Sequence, residues 1–338
     1  IRDSAFGTAE FDDLYLKYEA DKTIPKKKVS AQDLFFDLLK ERAETGRIYI
    51  MNLDHCNSHS SFKDKVSMSN LCQEITLPTT PIQDIHDEQG EIALCILSAV
   101  NVGALNDLSE LENICDLSVR ALEQIIDYQD YPVKAAEVST KKRRSLGIGY
   151  IGLAHYLAKN GVKYSDPKAW ELVDRLSEAF QYHLLRASCD IAMEKGKCEG
   201  FERTKYADGL LPIDHYKKDV DEIVPHKQRM AWESLRKDIA KHGLRHSTLS
   251  AQMPSESSSV VSNETNGIEP PRALLSIKKS KKGPLKQIAP GFPKLKNDYT
   301  LLWEMPDNKG YINVVSVMQK FFDQAISGNW SYLSLIHI

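Results

Sequence analysis

Residues 69–75 read SNLCQEI, and three side chains capable of chemistry fall at alternate positions, Asn70, Cys72 and Glu74. In an extended chain, residues i, i+2 and i+4 project to one side, so an amide, a thiol and a carboxylate share a face. A carboxylate opposes ionisation of a neighbouring thiol, which argues against a thiolate nucleophile. No histidine stands next to the cysteine in sequence to act as its base. A neutral thiol beside a carboxylate base suits hydrogen-atom chemistry. The plainer reading is a partly buried strand with incidental polar groups.

Three other stretches carry chemistry-bearing residues. MPSESSSVVSNETNGIEPP at 253–271 places small hydroxyl residues after Pro254; hydroxyls and backbone amides at a helix start suit a phosphate, and equally a plain capped helix. GIGYIG at 147–152 matches G-x-G-x-x-G through Gly147, Gly149 and Gly152. A dinucleotide site needs an apolar strand just before those glycines, whereas STKKRRSL precedes them here. A nicotinamide-dependent dehydrogenase is therefore an alternative with the wrong context, and the glycines read better as allowing close packing. DHCNSH at 54–59 offers Asp54, His55, Cys56 and His59, ligand types that zinc accepts. With no C-x-x-C in the chain, a polar loop is preferred to a zinc or interaction module.

Several elements must position these groups. Ser30 caps a helix over AQDLFFDLLKERAETG that Gly46 ends, and RIYIMNL at 47–53 reads as a strand. DHCNSHSSFKDK reads as loop and LCQEITL as a short strand. EIALCILSAVNV reads as a buried segment, strand in its first half. Helical spacing marks 107–127, 152–161, 167–195, 228–242 and 310–326, and STLSAQMP at 247–254 reads as a strand ending at proline. Strands separated by long helices argue for an α/β architecture with parallel strands in one large domain.

The chain has 338 residues, 42% hydrophobic and 27% charged, with a formal net charge of −3. That balance gives no broad attraction to nucleic acid or membrane. The basic runs KKRR at 141–144 and KKSKKGPLK at 278–286 lack interleaved aromatics and read as solvated loops. The most apolar run, at 92–105, is too short and too polar for a membrane span, and the first residues have no signal-peptide core. Six cysteines in this length are too few for a disulfide-built scaffold and point to a reducing, cytoplasmic setting.

Taken together the motifs resemble the large catalytic α subunit of class I aerobic ribonucleotide reductases, in its class Ia, bacterial and phage-like branch. The carriers are TGRIYI, DHCNSHS, SNLCQEI, QGEIALCILSAVN, DYQDYP, LGIG, LLPIDHYKKD, HGLRHSTLSAQMPSESSS, NGIEPP and LLWEMP. Trp232, Leu235, Gly243, Leu244, Arg245, His246, Ser250, Ala251 and Pro254 keep the family's spacing. The resemblance runs from about residue 10 to Tyr332. It implies part of a ten-stranded α/β barrel, with SNLCQEI as a finger loop at its centre rather than a strand.

It further implies reduction of ribonucleoside diphosphates to 2′-deoxyribonucleoside diphosphates by thiyl-radical chemistry. Cys72 would become the thiyl radical that abstracts the 3′ hydrogen, Glu74 the base for the 3′-hydroxyl, and Asn70 the residue orienting the substrate hydroxyls. Cys95 would be one of the two reducing cysteines. Pro254, Ser255, Glu256, Ser257 and Ser258 would cradle the diphosphate. The implied partners are a small β subunit with a metal-supported radical, thioredoxin or glutaredoxin, and a second α subunit in a homodimer. No metal or cofactor is expected in this chain, and no nucleic-acid partner.

None of Cys56, Cys115, Cys189 or Cys198 matches the motif of the second reducing cysteine. The family's ATP and deoxynucleotide effector segments, its radical-relay tyrosine pair and its cysteine-bearing tail are also not found here. The chain is therefore expected to be a fragment, inactive alone, comprising residues 1–332 of barrel followed by a foreign-looking tail, LSLIHI, at 333–338.

Overall fold

The computed structural model describes residues 10–280 and 283–331. The expected tail at 333–338 lies outside the described residues. Eleven α-helices are described: α1 Glu10–Ala20, α2 Ala31–Thr45, α3 Leu53–His59, α4 Glu110–Tyr128, α5 Lys134–Arg143, α6 Leu153–Lys159, α7 Pro167–Lys195, α8 Pro212–His215, α9 Trp232–His242, α10 Glu256–Val261 and α11 Lys309–Gln319. The described strands are β1 Ile96–Asn101, β2 Leu146–Ile151, β3 Leu275–Ser280 and β4 Gly283–Ile288.

β1 and β2 pair in parallel, Ile96 opposite Leu146 through Asn101 opposite Ile151. Ile148 bridges onward in parallel to Ser250, and Gln252 bridges in parallel to Ile326. Four neighbouring segments thus run in one direction, as an arc of parallel strands with helices α4 and α7 outside it. The arc does not close into a barrel among the described residues. β3 and β4 form a separate antiparallel hairpin.

Every residue of β2 is buried, and its two faces differ in kind. Leu146, Ile148 and Tyr150 face the helical layer, where the Tyr150 ring meets Phe180 at 5.4 Å and Phe322 at 5.6 Å between centroids. On the other face a Cβ at Gly147 would stand 2.7 Å from Cys95 Sγ, and one at Gly149 2.6 Å from the Ala251 carbonyl. The glycines make room for protein, not for a pyrophosphate, which removes the basis for the dinucleotide reading. Gly147 and Gly149 lie inside a strand, and Gly152, which follows it as the α6 N-cap at φ 81°, stands where a Cβ would meet Glu264 at 2.7 Å.

α7 keeps the bounds expected of it, and Ser30 and Gly46 end α2 as predicted: Ser30 Oγ accepts from Asp33 N at 3.2 Å, and Gly46 takes φ 62°. Other expectations are corrected. Residues 47–52 form no strand, and the expected loop at 54–65 begins as helix α3. The strand expected in the first half of 91–102 occupies Ile96–Asn101 instead. Residues 247–254 are extended but pair only through bridges. There the Gln252 side chain supplies a ladder's hydrogen bonds, accepting from Tyr150 N at 3.0 Å and donating to Tyr150 O at 2.9 Å. The basic run at 278–286 belongs to the β3–β4 hairpin rather than to a loop, with residues 281–282 outside the described set.

α1 and α2 carry no buried residue, and Leu34, Phe35 and Phe36 of α2 are exposed. Among the described residues no helix is long and apolar enough to cross a membrane. The packing against β2 makes a sharp prediction. Gly149→Ala forces its Cβ against a backbone carbonyl and is expected to cost about 1–3 kcal/mol, read as a lower midpoint in urea unfolding; an unchanged midpoint would show that the close approach is not needed.

Candidate active site

The Cys72 loop is held by its own first residue. Asn70 N donates to Ile75 O (3.2 Å), Ile75 N donates to Asn70 Oδ1 (3.1 Å), and Gln73 N donates to Asn70 O (3.2 Å). Gln73 takes φ 67°, a left-handed conformation that side chains other than glycine adopt at a cost. Asn70–Ile75 is therefore a closed turn. The simple strand expectation for LCQEITL fails, because a left-handed residue breaks the alternation that a strand needs. The turn brings Cys72 and Glu74 together in a different way: the thiol is exposed while the carboxyl is buried at 2% exposure.

Glu74 Oε2 is buried with no hydrogen-bond partner. Leaving a buried polar atom unsatisfied costs about 1–3 kcal/mol, a cost that persists where a function needs the group ready. Burial, then the negative charge of Glu74, pushes the Cys72 thiol above its ordinary range. Both effects keep Cys72 protonated near neutral pH.

Behind the loop, Glu74 O accepts from Ala325 N at 3.1 Å and Thr76 N donates to Gln324 Oε1 at 3.3 Å. Ile75 and Leu77 pack with Phe62 and Ala251, and Cys95 lies against this cluster. Cys95 just precedes β1. Burial drives its thiol far up; the Gln324 amide at 3.8 Å pulls the other way, and the Asp323 and Glu74 charges add to the rise. Glu74 thus acts electrostatically on both thiols, and both are neutral.

The expected phosphate cradle begins where the 247–254 segment ends. Met253 and Cys95 meet the same face of β2, at Gly149 and Gly147 respectively, a spacing of about 7 Å along a strand. Ser255 takes φ 55° and starts α10 at Glu256, Ser259 N donates to Ser255 O at 2.9 Å, and Glu256, Ser257 and Ser258 are exposed. The amides of a first helical turn have no partner within the helix. Gly267 lies beneath the turn, where a Cβ would stand 3.1 Å from the Pro254 carbonyl.

On the other side of the loop lies a cavity of about 520 Å³, walled by Gln73, Thr76 and Gln324 and facing His59 and His215. Of the proposed zinc ligands, His55, Cys56 and His59 line it and Asp54 does not. Among the described residues no group of three or more His, Cys, Asp or Glu side chains could hold a metal ion. His59 Nε2 instead bonds the Phe322 carbonyl at 2.7 Å, and its ring meets that of His215 at 5.0 Å. Both His215 nitrogens are buried without partners. Residues that sequence reading passed over are Gln324 and Ala325, which hold the loop stem from far along the chain; their only sequence signal is a polar side chain inside the apolar stretch FFDQAI.

These environments make two measurements informative. Glu74→Gln removes the charge opposing ionisation, so alkylation of Cys72 by iodoacetamide near neutral pH should run several-fold faster than in the parent chain; an equal or slower rate would separate the two groups. Burial lowers His59 to about 4 and His215 to about 3, from the ordinary 6.5. Both are neutral when folded, while the unfolded chain takes up protons below 6.5. Their stabilisation is therefore complete above 6.5 and is lost as the pH falls toward 4. Tm should drop over that window, and His215→Phe, which forfeits no hydrogen bond, should flatten the drop; an identical slope counts against this account.

The sequence profile of the ribonucleotide reductase barrel domain matches residues 3–300. The chain is 58% identical over 336 residues to a ribonucleoside-diphosphate reductase subunit alpha of Buchnera aphidicola, covering 98% of this chain and 44% of that protein. It is 55% identical over 326 residues to ribonucleoside-diphosphate reductase 1 subunit alpha of Escherichia coli, covering 96% and 43% respectively. It is 41% identical over 329 residues to the subunit alpha of an enterobacteria phage, covering 95% and 43%. The chain thus spans less than half the length of the curated relatives it matches. With its parallel strand arc and its Cys72 loop, it belongs to the ribonucleotide reductase barrel-domain family.

Proposed function

We propose that this chain is the radical-bearing part of a ribonucleoside-diphosphate reductase α subunit, acting on ribonucleoside diphosphates to give 2′-deoxyribonucleoside diphosphates. The observation that carries the reading is the pairing of an exposed, neutral Cys72 thiol with a buried Glu74 carboxyl whose Oε2 has no partner. Cys72, as a thiyl, takes the hydrogen atom from C3′ of the ribose. Glu74 takes the proton of the 3′-hydroxyl, a task for a base held within hydrogen-bond reach. Asn70, fixed by its bonds to Ile75, orients the hydroxyls. The 2′ oxygen leaves as water, and two electrons come from Cys95 and a second thiol as they close a disulfide. The C3′ hydrogen returns from Cys72, which regains its radical.

Pro254, Ser255, Glu256, Ser257 and Ser258 hold the diphosphate, with the α10 amides as donors. The radical originates in a metal-containing small β subunit. Thioredoxin or glutaredoxin reopens the disulfide, a second α subunit completes a homodimer, and ATP or deoxynucleotides act as effectors elsewhere in the longer protein. The setting is the cytoplasm.

The test exchanges this segment into the Escherichia coli relative and follows CDP reduction with the small subunit. The chimera is expected to turn over. Cys72→Ser should abolish turnover, Glu74→Gln should lower it about a hundredfold or more, and Cys95→Ser should stop repeated cycles. Full turnover with Cys72→Ser would refute the reading.

A further inference from the structure

Gln324 is 3% exposed, and its position is fixed from several directions. Its backbone N–H donates to Ser250 O at 3.1 Å, and its carbonyl accepts from Gln319 Nε2 at 2.8 Å. Its side chain then reaches three separate pieces of chain. Oε1 accepts from Thr76 N at 3.3 Å; Nε2 donates to Leu146 O at 2.8 Å and lies 3.8 Å from Cys95 Sγ. One amide therefore touches the stem of the Cys72 loop, the start of β2 and the Cys95 thiol.

The surroundings of Cys95 say why such a donor matters. Glu74 faces the sulfur from the loop and Asp323 from the chain after α11, both as negative charges. The β1 and β2 side offers Leu97 and Gly147, and the loop stem offers Ile75, all apolar. Among the described residues, Gln324 is the one side-chain hydrogen-bond donor on this sulfur. A thiol that must pass electrons on by exchange reacts as thiolate, and everything else around Cys95 opposes that charge.

We propose that Gln324 is a positioning residue with two separable tasks: its Oε1 fixes the stem of the Cys72–Glu74 loop through Thr76, and its Nε2–H supports negative charge on Cys95 when that sulfur exchanges. The inference rests on the reductase reading for its purpose, though not for its geometry. Gln324→Glu keeps the shape and an acceptor for Thr76 while replacing the donor by a charge. Gln324→Met keeps much of the volume and removes the side-chain bonds to Thr76, Leu146 and Cys95.

The experiment uses the 338-residue chain. Alkylation of Cys95 by iodoacetamide is followed by peptide mass from about pH 7 to 10, and exchange of the Thr76 amide is followed in parallel. Gln324→Glu should slow Cys95 about tenfold at any given pH, a rate–pH line displaced upward by about one pH unit, with Thr76 still protected. Gln324→Met should slow Cys95 less and leave Thr76 exchanging quickly. The buried Cys115, Cys189 and Cys198 report the fold by staying unreactive. An unchanged Cys95 rate in Gln324→Glu with those three silent overturns the proposal. So does an unprotected Thr76 amide in the unsubstituted chain, which requires no variant to fold. Neither readout involves nucleotide reduction, so failure of the reductase reading would leave these results standing.

Discussion

One buried carboxylate fixes where the chain after α11 meets the parallel strand arc. Asp323 is 1% exposed, and hydrogen-bond donors surround it. Its Oδ2 accepts from Tyr206 OH at 2.8 Å and Leu249 N at 2.9 Å, and its Oδ1 from Ser250 N at 2.8 Å and Ser250 Oγ at 3.1 Å. Ser250 Oγ in turn accepts from Asp323 N at 2.9 Å. Burial raises this carboxyl's pKa and the donors pull it back, so the site is tolerable only with every donor in place. The next three residues of the chain are then placed without freedom: Gln324 on Thr76 and Cys95, Ala325 on Glu74, Ile326 beside Gln252. The Cys72 loop is closed by its own Asn70 bonds and set against the strand arc by this anchor, which lies far beyond it in the chain.

A second network secures the other end of the same segment. Glu123 of α4 accepts from Arg144 Nε at 2.8 Å, Arg245 Nε at 2.8 Å and His246 Nε2 at 3.0 Å. Although burial pushes Glu123 up, these three partners hold it down at about 2. The LRH stretch before Ser247 therefore has a physical meaning: its two polar residues close on a helix carboxylate, and Leu244 beside them is buried in the core. The extended segment 247–252 is thus tied to one buried carboxylate just before it, Glu123 through Arg245 and His246, and to a second at its middle, Asp323 through Leu249 and Ser250.

The sequence was most legible where a local rule decides. α7 carries its own apolar periodicity and a proline at its first turn; α2 carries a serine and a glycine at its ends. It was least legible where pairing at a distance decides. RIYIMNL has the residues of a strand but, among the described residues, no neighbouring strand to pair with, so it stays irregular. In 91–102 the apolar run gives no phase, and β2 selects the half that becomes strand. The alternate spacing of Asn70, Cys72 and Glu74 singled out a group that the chain gathers in a closed turn and not, as expected, on one face of a strand. Gln324 showed only as a polar residue in FFDQAI, because a buried glutamine declares its role through Thr76, Leu146 and Cys95, which are remote in sequence.

Backbone strain is confined to a few places among the described residues. Four described residues other than glycine take positive φ: Gln73, Arg144, Ser255 and Asn263. Asn263 is of a type that tolerates the conformation. Arg144 ends α5 and is held there by Glu123 and Asp127 at 2.8 Å each. Gln73 and Ser255 have neither excuse. One sits between Cys72 and Glu74, the other at the head of the proposed diphosphate cradle. Strain of this kind costs about 1–3 kcal/mol and survives where the surrounding structure over-determines it. At Gln73 the determinants are visible: the Asn70 bonds close the turn on one side, and Gln324 with Ala325 grips the stem on the other. The gain from that cost is an arrangement a regular strand would not give, with the thiol outside, the carboxyl inside, and a single residue between them.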